Sequence, residues 1–547
     1  MAQDRGLNRS PLRRTLVTIG AALWLVAYGW PIMAILRRST AGVAGRDGLS
    51  IASLSVLGES RTLRLLAITA GQTLGSVVVV VALGVPIGWV LARLDFRGRR
   101  LANAVVMVPF VLPTLTVASA VLALVGRVPT STPARFALIL LAHTCLNLGL
   151  MVRSVATAVA AVPPTLEQSA RSLGRGPLRA VTETTLVIIR PQIVRAAVIV
   201  AMFCLTSFGV IVAIGGTALA TIEVEVWYLS TRALDLGAAA VLVLAQLLVV
   251  IALVSRQRRA TVVRTVGDFG PRRRVRGQAE RVAVVAALGT IGAFAGGPLG
   301  ALAVRSLRTP SGWGLSNYQH LFWPPAATGP VGARPLLGSG DVAAAVGYSL
   351  AGAAVATVLA LILAAPLVIA ASGDSRLGRT IDRLMLVPLS ISAATLGLGF
   401  LLAYSNERLD LRGTWIVVPL VQALTAAPVA ARLLVGSVRS LDRSPWEAAA
   451  MLGARPLRRL LTVGLPLLRR PIAVAAGFAF AMALGEFGAT VFLARNDRPT
   501  IPILIGRLLG RPGAVNFGAA MALSALLAVI VMVSVLVADR RGSGDLT

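Results

Sequence analysis

Two polar loops, one in each half of the chain, contain the residues whose types and spacing most clearly indicate a function. The loop in the second half begins with Ser444 and Pro445, carries an acid at Glu447 and has a glycine at Gly453. A serine cap, a proline in the first turn and an acid three residues after the cap predict a helix start, and glycine can adopt the left-handed conformation that ends a helix. Pro456 is placed to begin a second short helix. The pattern predicts two helical pieces joined by a glycine turn, a projection shaped to enter a groove on a cytoplasmic partner, without covalent chemistry.

The loop in the first half has the same design 279 residues earlier. Thr165 is its predicted cap, Gln168 holds the reciprocal position, and Gly174 is its terminating glycine. Two further landmarks have the same separation: Val108-Pro109 returns as Val387-Pro388, and Phe208-Gly209 returns as Phe487-Gly488. Matches in one order at one separation indicate an internal duplication.

The composition is that of an integral membrane protein. Hydrophobic residues make up 56% of the 547 residues, charged residues make up 14%, and the mean hydropathy is +0.81, so there is too little polar surface to coat a soluble protein. Pro109, Pro113 and Pro388 fall within the apolar segments and predict kinks. We predict an all-α polytopic membrane protein with about twelve transmembrane helices in two parallel six-helix repeats. The predicted spans are 15–36, 67–92, 101–126, 136–160, 193–216, 236–255, 282–304, 342–371, 382–404, 413–438, 472–494 and 514–538.

Arginines concentrate in alternate loops, and this asymmetry predicts the orientation of the chain. The N-terminal stretch, the loops after the second and fourth segments and the centre of the chain are the most basic, so both termini are expected in the cytoplasm. The predicted division is a first transmembrane repeat at 1–255, a basic cytoplasmic linker at 256–280 and a second transmembrane repeat at 281–547. The net charge of +31 is spread over short loops beside the membrane. Its expected partner is therefore membrane lipid and not nucleic acid.

The residue inventory excludes several classes of enzyme. All basic residues are arginine, and without lysine the chain can have no Walker A lysine, Schiff-base lysine or lysine general base. The two cysteines, Cys145 and Cys204, lie in apolar stretches, and the two histidines, His143 and His320, are far apart. No disulfide framework, metal site or cofactor is predicted, and the chain is not expected to be an enzyme.

A charge inside a predicted span is costly and is a functional candidate by default, and one carboxylate is the clearest such candidate. This residue is Glu486, and its counterpart in the first copy is Ser207. We hypothesise that both face a central transport pathway together with the neighbouring Phe208 and Phe487, and that Glu486 favours a cationic passenger. A structural hydrogen bond between helices is the alternative role for Glu486. The stretch Thr221–Trp227 is expected to be amphipathic and external.

The two loops resemble the coupling motif of ABC importer permeases, in which an acid and two small residues are followed by three variable residues, a glycine and, further on, Leu-Pro. The second loop matches this motif throughout. In the first loop Gln168 replaces the acid, with Glu167 just before it, and Val187 replaces the proline. By this resemblance the coupling residues are Glu167, Gln168, Ala170 and Gly174 in the first loop and Glu447, Ala448, Ala449, Gly453 and Pro466 in the second.

The layout of the whole chain is similar to the fused permeases of the ferric-iron and thiamine importer group. The resemblance implies a bacterial inner-membrane permease subunit that moves a small solute, thiamine or ferric iron being favoured, from a binding protein to the cytoplasm. It also implies two copies of a separate cytoplasmic ABC ATPase subunit and an extracytoplasmic substrate-binding protein. A chain without lysine agrees with ATP hydrolysis on another subunit.

A secondary transporter of the major facilitator type is the main alternative, since it also has twelve spans in two parallel halves. The turn at 95–100 superficially resembles that family's loop signature, and 374–379 echoes it. We favour a charged anchoring turn, because the alternative gives no reason for the two projections. A membrane-embedded enzyme is disfavoured by the lack of a clustered set of histidines, cysteines or carboxylates.

Overall fold

The computed structural model describes most of the chain. The described residues are 11–40, 52–257, 273–309, 312–323, 341–371, the single residues 378, 381, 385 and 388, and 391–543 apart from 407–408, 412, 443 and 496. Helices account for nearly all of the regular structure in these ranges.

The first half is a series of long apolar helices interrupted by short helical pieces. Three five-residue π-helical turns also occur, at Val181–Thr185, Ile211–Gly215 and Leu229–Ala233. The other elements up to Gln257 are α1 (Pro11–Thr40), a 3₁₀ helix (Ala52–Gly58), α2 (Ser60–Arg93), β1 (Leu94–Asp95), α3 (Arg99–Val111), α4 (Thr114–Val125), α5 (Thr132–Ala160), α6 (Pro164–Ser172), α7 (Pro177–Ala180), α8 (Leu186–Leu205), α9 (Ile222–Tyr228) and α10 (Leu236–Gln257).

The second half repeats this order, with π-helical turns at Gly292–Gly296 and Leu460–Gly464. Its other elements are β2 (Arg273–Arg274), α11 (Gln278–Ile291), α12 (Gly297–Leu307), β3 (Arg308–Thr309), β4 (Gly312–Trp313), α13 (Ser316–Phe322), α14 (Asp341–Ala371), α15 (Ala393–Ala403), β5 (Ser405–Asn406), β6 (Leu409–Asp410), α16 (Val417–Ser440), α17 (Ser444–Met451), α18 (Pro456–Arg459), α19 (Leu465–Gly485), α20 (Thr490–Leu493), α21 (Ile501–Leu509) and α22 (Ala514–Ser543).

The prediction of a polytopic all-α membrane protein is confirmed. Within the described ranges ten helical stretches are long and apolar enough to cross a bilayer, or eleven if the bent pair α3 and α4 counts as one span. The axes of these two helices are bent by 109° relative to each other. Pro113 is the N-cap residue of α4, so the chain breaks into two helices at the position where a kink was predicted. Of the predicted ninth span, 382–404, only Ala393–Ala403 is described as a helix. Most of the remainder lies outside the described residues.

Two predicted spans end earlier than expected. The fifth was predicted to run to 216 and the eleventh to 494, but α8 ends at Leu205 and α19 ends at Gly485. The apolar sequence continues past both ends while the backbone leaves the helix. The residues proposed for the pathway therefore lie in two breaks within the bundle and not on continuous helices.

The first span of each half packs on the other half. Helix α1 packs on α14 and α15, while α12 packs on α4. The Tyr28 hydroxyl donates to the Leu424 carbonyl at 2.6 Å, and the Arg305 guanidinium donates to the Ala123 carbonyl at 3.1 Å. At Gly399, a Cβ would lie 2.7 Å from the Cβ of Pro31, so only glycine permits this approach of two helices. Because the first span of each half packs on helices of the other half, the two halves form one packed unit.

The strands are two-residue pairings between loop segments. In β1 and β2, Leu94 and Asp95 pair in parallel with Arg273 and Arg274, while β3–β4 and β5–β6 are antiparallel pairs. The first pairing joins the loop after α2 to the segment that precedes α11. Asp95 thus lies in a short parallel pairing between these two segments.

Candidate functional site

The two coupling loops, residues 163–185 and 442–464, have the same backbone design. In each, a short helix (α6 or α17) ends in a glycine turn, and a second short helix (α7 or α18) leads through a π-helical turn into a span. Gly174 has φ +84° and Gly453 has φ +75°, as the sequence predicted. The Arg175 amide donates to the Ala170 carbonyl and the Ala454 amide to the Ala449 carbonyl, both at 3.1 Å. These bonds span the same interval and make the two turns equivalent.

The predicted starts of the two helices need correction. Helix α6 begins at Pro164, so Thr165 lies inside it, and no side-chain hydrogen bond caps its N-terminus. Helix α17 begins at Ser444, whose amide and hydroxyl both donate to the Asp442 carboxylate. The carboxylate before the helix, and not a reciprocal bond between Ser444 and Glu447, therefore fixes the entry of the chain.

The motif residues lie on the outer surface of the loops. Gln168, Gly174, Glu447, Ala448, Gly453 and Pro466 are exposed, while Glu167, Ala170 and Ala449 are half-buried. Beside the two glycines, Leu173 is 85% exposed and Leu452 is 87% exposed. Each loop therefore has an exposed apolar side chain at its tip.

The first coupling loop is clamped to α2 by a polar cluster that the sequence did not reveal. One oxygen of Glu167 accepts hydrogen bonds from the Arg93 guanidinium at 3.2 Å, the Thr185 hydroxyl and the Trp89 indole at 3.4 Å. The Arg93 side chain is 8% exposed and that of Glu167 is 14% exposed. Arg93 also donates to the Val162 carbonyl at 2.9 Å. Both partners were visible in the sequence as charges that follow apolar segments, but their pairing requires the fold.

The second coupling loop replaces this cluster with an apolar contact. Trp446 stands 279 residues after Glu167, and Gly464 stands 279 residues after Thr185. A Cβ on Gly464 would lie 2.8 Å from the Trp446 ring, so the ring packs directly on the glycine backbone. The Arg459 guanidinium lies 5.8 Å from the centre of the same ring. Both contacting positions therefore differ between the two loops: Glu167 and Thr185 in the first correspond to Trp446 and Gly464 in the second.

The breaks after α8 and α19 meet at the centre of the bundle, which we call the central junction (Ser207, Phe208, Glu486 and Phe487). The rings of Phe208 and Phe487 lie 5.4 Å apart between centroids, and both are buried. Each ring comes from a different half. The duplicated Phe-Gly landmark therefore marks one of the places at which the two halves touch.

The polar members of the central junction have different partners. Ser207 lies 2.9 Å from Nε2 of His143, whose Nδ1 lies 3.1 Å from the Ser76 hydroxyl. Glu486 instead accepts from the backbone amides of Ala489 at 2.8 Å and Thr490 at 2.9 Å. Its carboxylate thus caps the start of α20. Its partners are amides of its own segment and not the neighbouring helix that the alternative interpretation named.

The stretch at 221–227 is not external to the bundle as predicted. Residues 222–226 form most of α9 and are all buried, with Glu223 only 2% exposed. Glu223 accepts from the Gln246 amide at 2.5 Å, and Glu225 pairs with Arg61 at 2.9 Å. The repeat could have revealed this, because the equivalent segment that begins at Ile501 is almost wholly apolar and forms α21.

Metal chemistry finds no support in this part of the chain. Among the described residues, no group of three or more His, Cys, Asp or Glu side chains could hold a metal ion. Cys145 and Cys204 are free and buried.

Comparison with known proteins links this architecture to a transport family. Residues 356–541 match the model of a family described as binding-protein-dependent transport system inner membrane component. The thiamine transport system permease protein ThiP of Brucella abortus is 26% identical over 513 residues, which cover 88% of each chain. The molybdenum transport system permease protein ModB of Mycobacterium tuberculosis is 34% identical over 200 residues, 34% of this chain and 74% of that protein. A putative 2-aminoethylphosphonate transport system permease protein, PhnV of Salmonella typhimurium, is 32% identical over 159 residues, 28% of this chain and 59% of that protein.

Proposed function

This chain belongs to the family of binding-protein-dependent inner-membrane transport components, the permeases of ABC importers, and from this premise we propose that each of its coupling loops docks on one copy of a separate cytoplasmic ATPase subunit. The chain is a multi-pass inner-membrane protein. Its family excludes the major facilitator alternative. In the proposed arrangement, permease repeats at 1–255 and 281–547 flank a cytoplasmic linker at 256–280, and both termini are cytoplasmic.

The observation that carries the proposal is the matched geometry of the two loops. Equivalent glycine turns and equivalent exposed leucines, at Leu173 and Leu452, support docking into two copies of the same groove. The coupling residues proposed from the motif are those of the two exposed surfaces, centred on Gly174 and Gly453. Glu167 would act from inside the first loop, because its carboxylate faces Arg93.

The mechanism follows from the continuity between loop and span. From Pro177 to Leu205 the chain forms one helical stretch of 29 residues, and Leu460–Gly485 forms a similar stretch in the second half. A helix of this length spans about 43 Å, which is more than the thickness of the apolar core of a bilayer. Closure of the ATPase subunits would move both loops, and each helix would carry that movement to Phe208 or Phe487. The halves would then alternate between inward and outward access.

Thiamine is the solute we propose, because ThiP of Brucella abortus matches this chain over 88% of its length. An extracytoplasmic binding protein would deliver thiamine to the outer side of the bundle. Ferric iron, the other solute implied by the sequence resemblance, is the comparison substrate for a test.

Reconstitution tests the proposal directly. The full chain is placed in proteoliposomes with its ATPase and binding protein, and uptake of labelled thiamine is measured with ATP inside or outside the vesicle. We expect uptake only when ATP, the ATPase and the loaded binding protein are all present on the correct sides. Accumulation of thiamine by the chain alone, driven by an ion gradient, would refute the coupling role of the loops. Uptake of ferric iron without thiamine would refute the proposed cargo alone.

A further inference from the structure

Helix α9 holds a buried carboxylate that neither the coupling motif nor the sequence hypothesis for the pathway includes. Glu223 is 2% exposed, and its carboxylate accepts a hydrogen bond from the Gln246 side chain of α10. Helix α9 also packs on α15 of the second half. A carboxylate so far from water is costly unless it serves the fold or a ligand.

The other two buried carboxylates of this region already have strong partners. Glu225, two residues further along α9, forms an ion pair with Arg61, and Glu486 accepts from two backbone amides at the start of α20. The hydrogen-bond partner identified for Glu223 is the neutral side-chain amide of Gln246. Of these three acids, Glu223 is the one whose identified partners include neither a cation nor a pair of backbone amides.

Three aromatic rings, those of Trp227, Phe208 and Phe487, form a series of contacts that begins on α9. Trp227 lies four residues after Glu223 and therefore on the same side of α9. Its ring lies 6.0 Å from that of Phe208, which lies 5.4 Å from that of Phe487. The rings come from both halves and meet at the central junction, and Glu223 lies about one helical turn before Trp227. Carboxylates and electron-rich ring faces are the groups that recognise organic cations.

We propose that Glu223, Trp227, Phe208 and Phe487 form the transit site for a flat organic cation. The inference rests on the proposed function of an importer permease, and it names the substrate class and the residues that meet the substrate inside the membrane. Glu223 neutralises the positive charge, and the rings stack on the flat part of the molecule. The Phe208–Phe487 contact closes the site, and it opens when the helices α8 and α19 carry the two rings apart.

Uptake measurements on two variants, each of which neutralises one buried glutamate of α9, test the site. The full chain, its ATPase and its binding protein are reconstituted, and uptake of thiamine is compared for the parent, Glu223→Gln and Glu225→Gln at equal protein. We expect Glu223→Gln to reduce thiamine uptake about tenfold or more while ATPase stimulation by the loaded binding protein is retained, a change equivalent to about 1.4 kcal/mol. Glu225 is buried in the same helix, but its partner Arg61 is 60% exposed and stays hydrated without it, so Glu225→Gln should stay within about twofold of the parent.

The aromatic half of the site has its own test. Trp227→Phe keeps a ring and Trp227→Leu does not, so thiamine uptake should be retained in the first variant and fall several-fold in the second. This pair also decides the matter if Glu223→Gln fails to assemble. Equal uptake by the parent, Glu223→Gln and Trp227→Leu would overturn the site, as would equal losses in both glutamate variants with lost ATPase stimulation.

The parent complex is also tested with a panel of other organic cations, ferric ion and molybdate, which separates this inference from the proposed cargo. If the parent moves another organic cation but not thiamine, the proposed cargo is wrong, and the same variants test the site with that cation. If the parent moves only molybdate or only ferric ion, both the cargo and the transit site are refuted. An anion would be repelled by Glu223, and an inorganic cation would not need the rings.

Discussion

The two coupling loops have one shape but are held by opposite kinds of interaction. In the first, Glu167 is clamped by Arg93 and Thr185 in a polar cluster, whereas in the second, Trp446 packs on the bare backbone of Gly464. The equivalent residues differ in charge, size and polarity, yet the glycine turns have the same hydrogen bonds. The comparison shows that the turn geometry is the common requirement, while the anchor beneath it can be polar or apolar if both contacting positions change together.

The two anchors also differ in what they connect. Glu167 joins the first loop to the end of α2, a different span, through Arg93. Trp446 joins the second loop to the π-helical turn that leads into its own span, α19. Movement of the first loop is therefore expected to reach two spans directly, and the Trp446 contact is expected to keep the second loop in step with α19.

The largest expected effect comes from breaking the shared turn. Gly453→Pro cannot keep φ +75°, because the proline ring holds φ near about −65°, and it also removes the amide that donates to the Ala450 carbonyl. We expect membrane insertion to be preserved and ATP-driven uptake to fall to background, and the same result for Gly174→Pro. Gly453→Ala should have a smaller effect, since the left-handed conformation costs alanine about 1 kcal/mol. Coupled uptake by Gly453→Pro would contradict the lever mechanism.

The next effect separates the two anchors. Glu167→Ala leaves the Arg93 guanidinium mostly buried without its carboxylate, and the loss of one partner of such a pair costs about 3 kcal/mol. Hydrogen exchange of residues 164–180 should accelerate, while residues 444–459 should exchange as in the parent. The double variant Arg93→Ala with Glu167→Ala should lose less than the sum of the single variants. Additive losses would show that the two side chains do not act as a pair.

A moderate effect is expected at the loop tips, where the two loops are alike. Leu173→Asp and Leu452→Asp alter side chains that are mostly exposed, so the fold should be unaffected. If each leucine is buried in a groove of the ATPase, its loss should cost about 1.5–3 kcal/mol of docking energy. Copurification of the ATPase measures this, with Leu452→Met as the control that keeps an apolar tip. Full retention of the ATPase by the double aspartate variant would exclude the tips from the interface.

The smallest expected effect tests the apolar anchor. Gly464→Ala places a Cβ 2.8 Å from the Trp446 ring and should destabilise the second loop by about 1–2 kcal/mol. The added variant Trp446→Phe should relieve much of this loss, because the smaller ring leaves room for the methyl group. Thermal unfolding of the three variants gives the comparison. A stability of Gly464→Ala equal to that of the parent would mean that Trp446 does not pin the loop.

Structural features that depend only on neighbouring residues, such as turns and helix starts, could be predicted from the sequence. The need for a left-handed residue predicted both glycine turns, and Pro456 predicted the start of α18. The helix caps were less predictable, because the Asp442 carboxylate accepts hydrogen bonds from both the amide and the hydroxyl of Ser444, and α6 begins one residue before its predicted cap. The predicted ends of the fifth and eleventh spans were wrong. The apolar sequence continues beyond Leu205 and Gly485, but the helices end at these residues.

The sequence by itself determined the membrane class, the repeat and the glycine turns of the two loops, because hydropathy, a constant separation and a need for left-handed backbone are visible in the sequence without the fold. Only the tertiary structure decided which charges meet. Arg93 and Glu167 are 74 residues apart, and Phe208 and Phe487 come from different halves. Glu223 looked solvent-exposed in a segment where acids alternate with apolar residues, yet α9 is enclosed by α10 and α15. Such contacts depend on how helices distant in sequence pack, and no local pattern of residues specifies that packing.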